Sequence, residues 1–235
     1  MAGDQTMSGT LYGVGVGPGD PELLTVKAWR LIAGASNISY LCANGGDSTA
    51  LEIARPFLPD VYTAISIDMP MRVERELAQA AYDKGCDQIS EVLSQGSDVI
   101  FLCEGDPFFY GSFMYVFERL FHKHKVIVVP GVTSISAASA ELGQPLVERD
   151  ETLKVLPATM SAANLKSELA TATSAAIIKV GRHIDKVKVV LSELNLLDKA
   201  IAIEHATRPN QIIRPLNEIE SNTLPYFTTI IVRRK

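Results

Sequence analysis

Val99 to Cys103 is an unbroken apolar run that stops at Gly105 and is followed at once by Asp106-Pro107-Phe-Phe-Tyr-Gly-Ser-Phe113. A short run with no polar alternation suits a strand covered on both faces, as in parallel sheets. Such a strand needs helices on either side of it, which puts the chain in the α/β class. Asp followed by Pro is a helix-start signal, because the carboxylate can accept amides of the first turn and Pro has no amide to leave unpaired. The segment therefore reads as a strand-to-helix turn, where open α/β sheets bind small ligands. Phe108, Phe109, Tyr110 and Gly111 are expected to line a pocket with little room for solvent. A second Gly19-Asp20-Pro21 follows another candidate strand, Thr10 to Val16.

The chain has 235 residues, room for one large α/β domain or two smaller ones. A net charge of -5 argues against a nucleic-acid binder, which is normally basic. An anionic small substrate stays open, because the local patch decides and exposed charges are screened beyond about 8 Å. Cys42, Cys86 and Cys103 lack C-x-x-C spacing, which disfavours disulfide frameworks and zinc knuckles and points to a reducing cytoplasm. Residues 1–8 lack the basic start and apolar core of a signal peptide. No apolar stretch reaches the length of a membrane span. A soluble cytoplasmic protein is expected.

The chain alternates strand and helix almost throughout. Thr10 to Val16 is a strand, Pro21 to about Gly34 a helix and Asn37 to Cys42 a strand. A short helix to Phe57, a strand at Ile65 to Ile67 and a long helix from Arg72 to Ser94, with Gly85 as a bend or split, lead to Val99. Val126 to Val129 ends in Pro130-Gly-Val-Thr-Ser134, and Ile135 to Leu142 is a helix of small residues. Strands at Thr152 to Leu156, Ala175 to Val180 and Ala200 to Glu204 alternate with helices at Ala163 to Ala170 and Val187 to Leu194. Ile212-Ile213 and Phe227 to Val232 are expected to form an antiparallel pair, since only a short connection separates them. The expected organisation is a tail over 1–8 and α/β domains over 9–130 and 131–235, with a small-molecule cleft between the two domains.

The glycines of Gly13-Val-Gly-Val-Gly-Pro-Gly19 do not fit G-x-G-x-x-G, because Pro18 holds the third position. Pro18 and Pro21 also remove two amides that a phosphate cradle would use. The glycines serve either close approach of the backbone to a ligand without phosphate or a tight turn with no ligand. His122 and His124 are spaced to share a metal or to sit as surface residues near a helix end; no third ligand is nearby in sequence, and no metal is expected.

Gly17-Pro-Gly-Asp20, Glu104-Gly-Asp-Pro-Phe-Phe-Tyr-Gly111 and Pro130-Gly-Val-Thr-Ser134, in that order, resemble the tetrapyrrole methylases, the S-adenosylmethionine-dependent enzymes of cobalamin and sirohaem synthesis. Cys103 to Phe113, Val155-Leu-Pro-Ala-Thr159, Lys179-Val-Gly-Arg-His183 and Pro225-Tyr-Phe227 are similar to the branch of that family that methylates C-20 of precorrin-2. Where those relatives often have Tyr-Pro-Lys, this chain has Tyr40-Leu41-Cys42.

The resemblance implies two α/β domains with the active site in the interdomain cleft, and a homodimer. It places S-adenosyl-L-methionine against Pro18, Glu104, Gly105, Asp106, Phe109, Thr133, Ser134, Val180 and Ala206. Asp106 is a helix cap, a cofactor contact, or both. The reaction implied is methyl transfer to an electron-rich meso carbon, with Glu104 and Tyr110 as candidate proton acceptors; Glu104 reads equally well as a capping or ion-pairing residue. A substrate with eight carboxylates calls for cations, with Lys179, Arg182 and His183 first and Arg72 and Arg75 second. Each reads also as a solvated surface charge. Cobalt-bearing precorrin-2, another regiochemistry and a non-catalytic sensor of S-adenosylmethionine are the alternatives.

Overall fold

In a computed structural model, the structure describes residues 8–43, 45–70 and 75–234. The chain divides into two compact units, Met1–Thr133 and Ser134–Lys235. The first is built on a parallel sheet of order β3-β2-β4-β1-β5, formed by β1 (Thr10–Gly15), β2 (Asn37–Ala43), β3 (Thr63–Met69), β4 (Val99–Cys103) and β5 (Lys125–Val129). Both faces are covered, which accounts for the continuous apolar run of β4. Val99, Phe101 and Cys103 pack with residues of α3 (Arg75–Ser94) and α4 (Phe113–Leu120). Ile100 and Leu102 pack with α1 (Val26–Ala33) and α2 (Thr49–Ala54) on the other face.

That partition has a topological consequence. β1 and β4 are neighbours, yet the chain leaves β1 for α1 on one face and leaves β4 for α4 on the other. Their carboxyl ends therefore flank the switch point at which open α/β sheets leave a crevice for a ligand. The two Gly-Asp-Pro turns stand on these two strand ends.

The second unit is a mixed sheet of order β6-β7-β10-β8-β9, from β6 (Leu153–Pro157), β7 (Ser174–Ile178), β8 (Ala200–Glu204), β9 (Ile212–Pro215) and β10 (Thr228–Arg233). One face packs on α6 (Ala162–Ala170) and α7 (Ile184–Glu193), the other on α5 (Ser134–Glu141). β6, β7 and β8 run the same way, so their carboxyl ends share one edge of the sheet.

Three expectations are corrected. β9 and β10 do not pair: β10 runs antiparallel between β7 and β8, while β9 pairs β8 at the edge. The reason lies in burial, since β10 is covered on both faces while three of the four residues of β9 are exposed. Asp106-Pro107 does not start a helix; α4 begins at Phe113. Tyr40-Leu41-Cys42 lies in the strand expected over Asn37 to Cys42, now β2, and pairs with Ser66 to Asp68 of β3. The long helix runs unbroken through Gly85, where a Cβ would lie 2.4 Å from the Ile67 side chain, so the glycine lets α3 press onto β3.

His124 is held by the hydroxyls of Ser90 at 2.7 Å and Ser8 at 3.2 Å, and burial followed by the Lys123 charge keeps its pKa below the usual imidazole range. No group of three or more His, Cys, Asp or Glu side chains able to hold a metal occurs among the described residues. No helix there is long and apolar enough to cross a membrane.

Candidate functional site

Three strand ends of the first unit are joined main chain to main chain. The Val16 amide donates to Cys103 O at 2.9 Å, Gly105 N donates to Gly17 O at 2.8 Å and Gly17 N to Gly105 O at 3.3 Å. The segment after β5 closes on the same point: a Cβ on Gly131 would lie 2.1 Å from Gly105 O, and one on Gly15 would lie 2.7 Å from Gly131 N. Glycine at 15 and 131 is thus demanded by backbone meeting backbone. Gly105 differs. Its φ of +62° favours glycine, and a Cβ there would meet nothing nearer than Val132 O at 3.9 Å. Beyond its own Cα, the main chain at 105 is open to close approach.

Asp106 ties the junction. One carboxylate oxygen accepts from the amides of Phe108 at 2.9 Å and Phe109 at 3.0 Å, and the other from Gly131 N at 3.0 Å. Of its roughly four lone-pair sites, three are used by the chain itself. Asp20 makes the matching turn after β1, accepting from Glu22 N at 2.8 Å ahead of a short 3-10 helix at Pro21–Leu23.

Between Asp106 and α4 the chain makes a tight loop in which a Cβ on Gly111 would lie 2.5 Å from two carbonyl oxygens, with Tyr110 at φ +56°. The aromatic residues do not form the dry wall expected of them: Phe108, Phe109 and Tyr110 are 41–48% exposed. Phe108 turns edge-on to Phe117 at 5.0 Å, and Phe109 stands edge-on to Tyr110 at 5.4 Å. Pro18, Glu104 and Thr133 are half-buried in the same unit. Burial, with the Glu104 charge as a second cause, pushes the neighbouring Cys103 thiol up to about 11, and burial does the same at Cys86. Neither is a thiolate nucleophile at neutral pH.

The other predicted residues lie in the second unit. Lys179, at φ +56°, and buried Val180 follow β7, and Gly181–His183 form a 3-10 turn. Ala206 follows β8 and is buried between His205 at φ +51° and Thr207 at φ +68°. A β-branched residue with positive φ is a true outlier, and such strain, about 1–3 kcal/mol each, collects at ligand clamps and switch regions. The turn is braced by Gln211, which accepts from Thr207 N at 2.6 Å and donates to Glu141 at 2.7 Å. Ser134 opens α5, its hydroxyl 3.5 Å from that of Thr229. Lys179 and Arg182 are exposed and His183 is half-buried. Arg72 lies outside the described residues, as does the side chain of Arg75.

The charged cluster closing β8 had drawn no functional reading from the sequence. Glu204, 5% exposed, pairs with Arg214. Arg208 lies with its guanidinium 4.8 Å from the centre of the Phe227 ring. The signal was the placement of Glu204-His205-Ala-Thr-Arg208 directly after an apolar strand. Arg214→Ala leaves the Glu204 carboxylate buried without its cation and is expected to cost about 2–3 kcal/mol, below the figure for a fully buried pair because Arg214 is 41% exposed. Urea unfolding checks this, and an unmoved midpoint would mean that water already solvates Glu204.

Two α/β units, one with switch-point turns and the other with strained strand ends, define a protein of the α/β class. The sequence profile of the Tetrapyrrole (Corrin/Porphyrin) Methylases matches residues 10–220, and the chain belongs to that family. It is 39% identical to the cobalamin biosynthesis protein CobIJ of Mycobacterium bovis, over 94% of this chain but only 45% of CobIJ, so it spans about half the length of that relative. It is 35% identical to the precorrin-2 C(20)-methyltransferase of a Sinorhizobium species, over 95% of each chain. It is 31% identical to the cobalt-precorrin-2 C(20)-methyltransferase of Salmonella typhimurium, over 97% of this chain and 98% of that one. The fold is similar to that of the cobalt precorrin-4 methyltransferase CbiF, with a TM-score of 0.73 at 20% identity over 95% of this chain and 94% of that one.

Proposed function

We propose that the protein is an S-adenosylmethionine-dependent C-methyltransferase that methylates C-20 of precorrin-2, giving precorrin-3A, in cobalamin biosynthesis. The observation that carries this reading is the end-to-end match to a C(20)-methyltransferase at 35% identity. We also propose that it acts in the cytoplasm as a homodimer. The same reaction on cobalt-precorrin-2 is the second reading, favoured by the equally complete match to the Salmonella enzyme.

S-adenosylmethionine, when bound, supplies a methyl group on a positively charged sulfur. The chain offers it a fitting surface, since the bare main chain at Gly105 accepts close contact. Pro18, Glu104, Gly105, Asp106, Phe109 and Thr133 would hold it from the first unit, and Ser134, Val180 and Ala206 from the second. Asp106 acts mainly by fixing the turn, because its oxygens already hold three amides. Alignment of reacting atoms in such a site supplies roughly 7–11 kcal/mol. Glu104 or Tyr110 takes the proton released from the methylated carbon, and Lys179, Arg182, His183 and Arg72 hold the substrate carboxylates.

The test is incubation with labelled S-adenosylmethionine and either metal-free or cobalt-loaded precorrin-2, with mass spectrometry of the product and NMR to locate the methyl. Label at C-20 is the expected result. Tight cofactor binding with no label transferred would make the protein a sensor, and label at another carbon would change the regiochemistry.

A pH signature follows from His183. Burial first, then the charges of Lys186 and Arg182, hold its pKa below the ordinary 6.5. A carboxylate brought beside it raises that value, so binding takes up a fraction of a proton at pH values between the free and the bound pKa, and affinity rises as pH falls through that window. Calorimetry in buffers of different ionisation heat should show the uptake with wild type and not with His183→Asn. Equal uptake by both would remove His183 from the substrate site.

A further inference from the structure

We infer that Arg208, with His205 beside it, forms a site for a carboxylate carried in by a ligand. Nε and Nη2 of Arg208 are buried and make no hydrogen bond to any described residue. Those two nitrogens are one edge of the guanidinium, the side-on fork that takes both oxygens of a carboxylate at once. The acid nearest in sequence, Glu204, is paired with Arg214. The compensation Arg208 does find is the face of Phe227, a weak partner for a desolvated cation. An arginine cannot shed its proton to escape the cost of burial, so an uncompensated guanidinium fork marks a place where the missing anion arrives with something else.

Three further observations converge there. The Nδ1 of His205 is also buried without a partner among the described residues, and in the tautomer that protonates it this atom is a second donor. The two residues are locked in one turn, with Arg208 N donating to His205 O at 3.0 Å, and both lie against Phe227. His205 and Thr207 carry positive φ within that turn, the conformation that brings Arg208 back over the ring.

The inference rests on the methyl-transfer reading for the bearer of the carboxylate, which is either the amino-acid end of S-adenosylmethionine or a side chain of the tetrapyrrole. Arg208→Met keeps the shape and removes the charge; Arg208→Lys keeps the charge and removes the fork. Calorimetry on the full chain would use S-adenosylhomocysteine, 5′-methylthioadenosine, which lacks the amino-acid end, and uroporphyrin III. Arg208→Met should weaken the carboxylate-bearing ligand by about tenfold to a hundredfold, and Arg208→Lys by less. Loss confined to S-adenosylhomocysteine, with methylthioadenosine unchanged, assigns the site to the cofactor; loss confined to uroporphyrin assigns it to the substrate. Without ligand, Arg208→Met should melt no lower than wild type, because it removes an unpaired buried charge. Wild-type affinity for both carboxylate ligands in either folded variant overturns the inference and leaves methyl transfer standing. A variant that turns a dimer into a monomer at unchanged affinity also overturns it, by giving the carboxylate to a second copy of the chain. A wild-type protein that binds none of the three compounds removes the methyl-transfer reading and the inference together.

Discussion

Gly131→Ala is expected to destabilise the first unit by about 3 kcal/mol or more, a large loss for the addition of one methyl group. The new Cβ would lie 2.1 Å from Gly105 O and 2.9 Å from Gly15 Cα, so the atoms that must retreat belong to the main chains of two other strand ends. Moving them apart strains the Gly17–Gly105 bridge and the Asp106–Gly131 hydrogen bond together. Gly45→Ala is the control in the same unit: with φ at +67° and nothing nearer its Cβ than Asp68 Oδ2 at 3.9 Å, it should cost only the left-handed penalty of about 1–2 kcal/mol. The single tryptophan, Trp29, lies in α1 of the first unit, so its fluorescence during urea unfolding reports on that unit. A midpoint for Gly131→Ala no lower than that for Gly45→Ala would show that the three strand ends are not rigidly joined.

Gly105→Leu is the second large effect, and it acts on binding rather than on folding. At φ +62° any side chain is strained by about 1–2 kcal/mol, but the space around its Cβ is open to 3.9 Å, so the unit should still fold. The leucine then stands where the cofactor is proposed to meet the main chain, and should weaken S-adenosylhomocysteine by roughly tenfold to a hundredfold, the equivalent of 1–3 kcal/mol of overpacking. Gly105→Ala carries the same backbone strain with far less bulk. If calorimetry finds the two variants equal in affinity, strain explains the loss and the cofactor does not lie against residue 105.

Much of the architecture could be read from local signals because they are physically local. The apolar run of Val99 to Cys103 is continuous because helices cover both its faces, and Ser94 ends α3 shortly before Gly96. The misreadings arose where a distant contact overrides a local preference. Asp106-Pro107 has the chemistry of a helix start, yet its carboxylate is drawn to Gly131, and Gly111 packs against the carbonyls of Asp106 and Pro107. The helix can begin only once that turn is complete. Likewise, the nearness of β9 and β10 in sequence favoured a hairpin, but only the longer strand, with Ile230, Ile231 and Val232 in it, can fill a gap buried on both sides. Arg208 escaped notice because an arginine after a strand is normally solvated, and only tertiary packing reveals that its fork is dry.

The position of β10 also sets an order of events during synthesis. Its partners β7 and β8 lie on either side of it and do not pair with each other, so the second sheet stays in two halves until residues 228–233 leave the ribosome. Until then each half presents a bare inner edge, the kind of surface that recruits a neighbouring nascent chain. The first unit, whose last strand ends at Val129, can finish assembling while those edges still wait. Protection by chaperones, if this chain requires it, is needed in that interval.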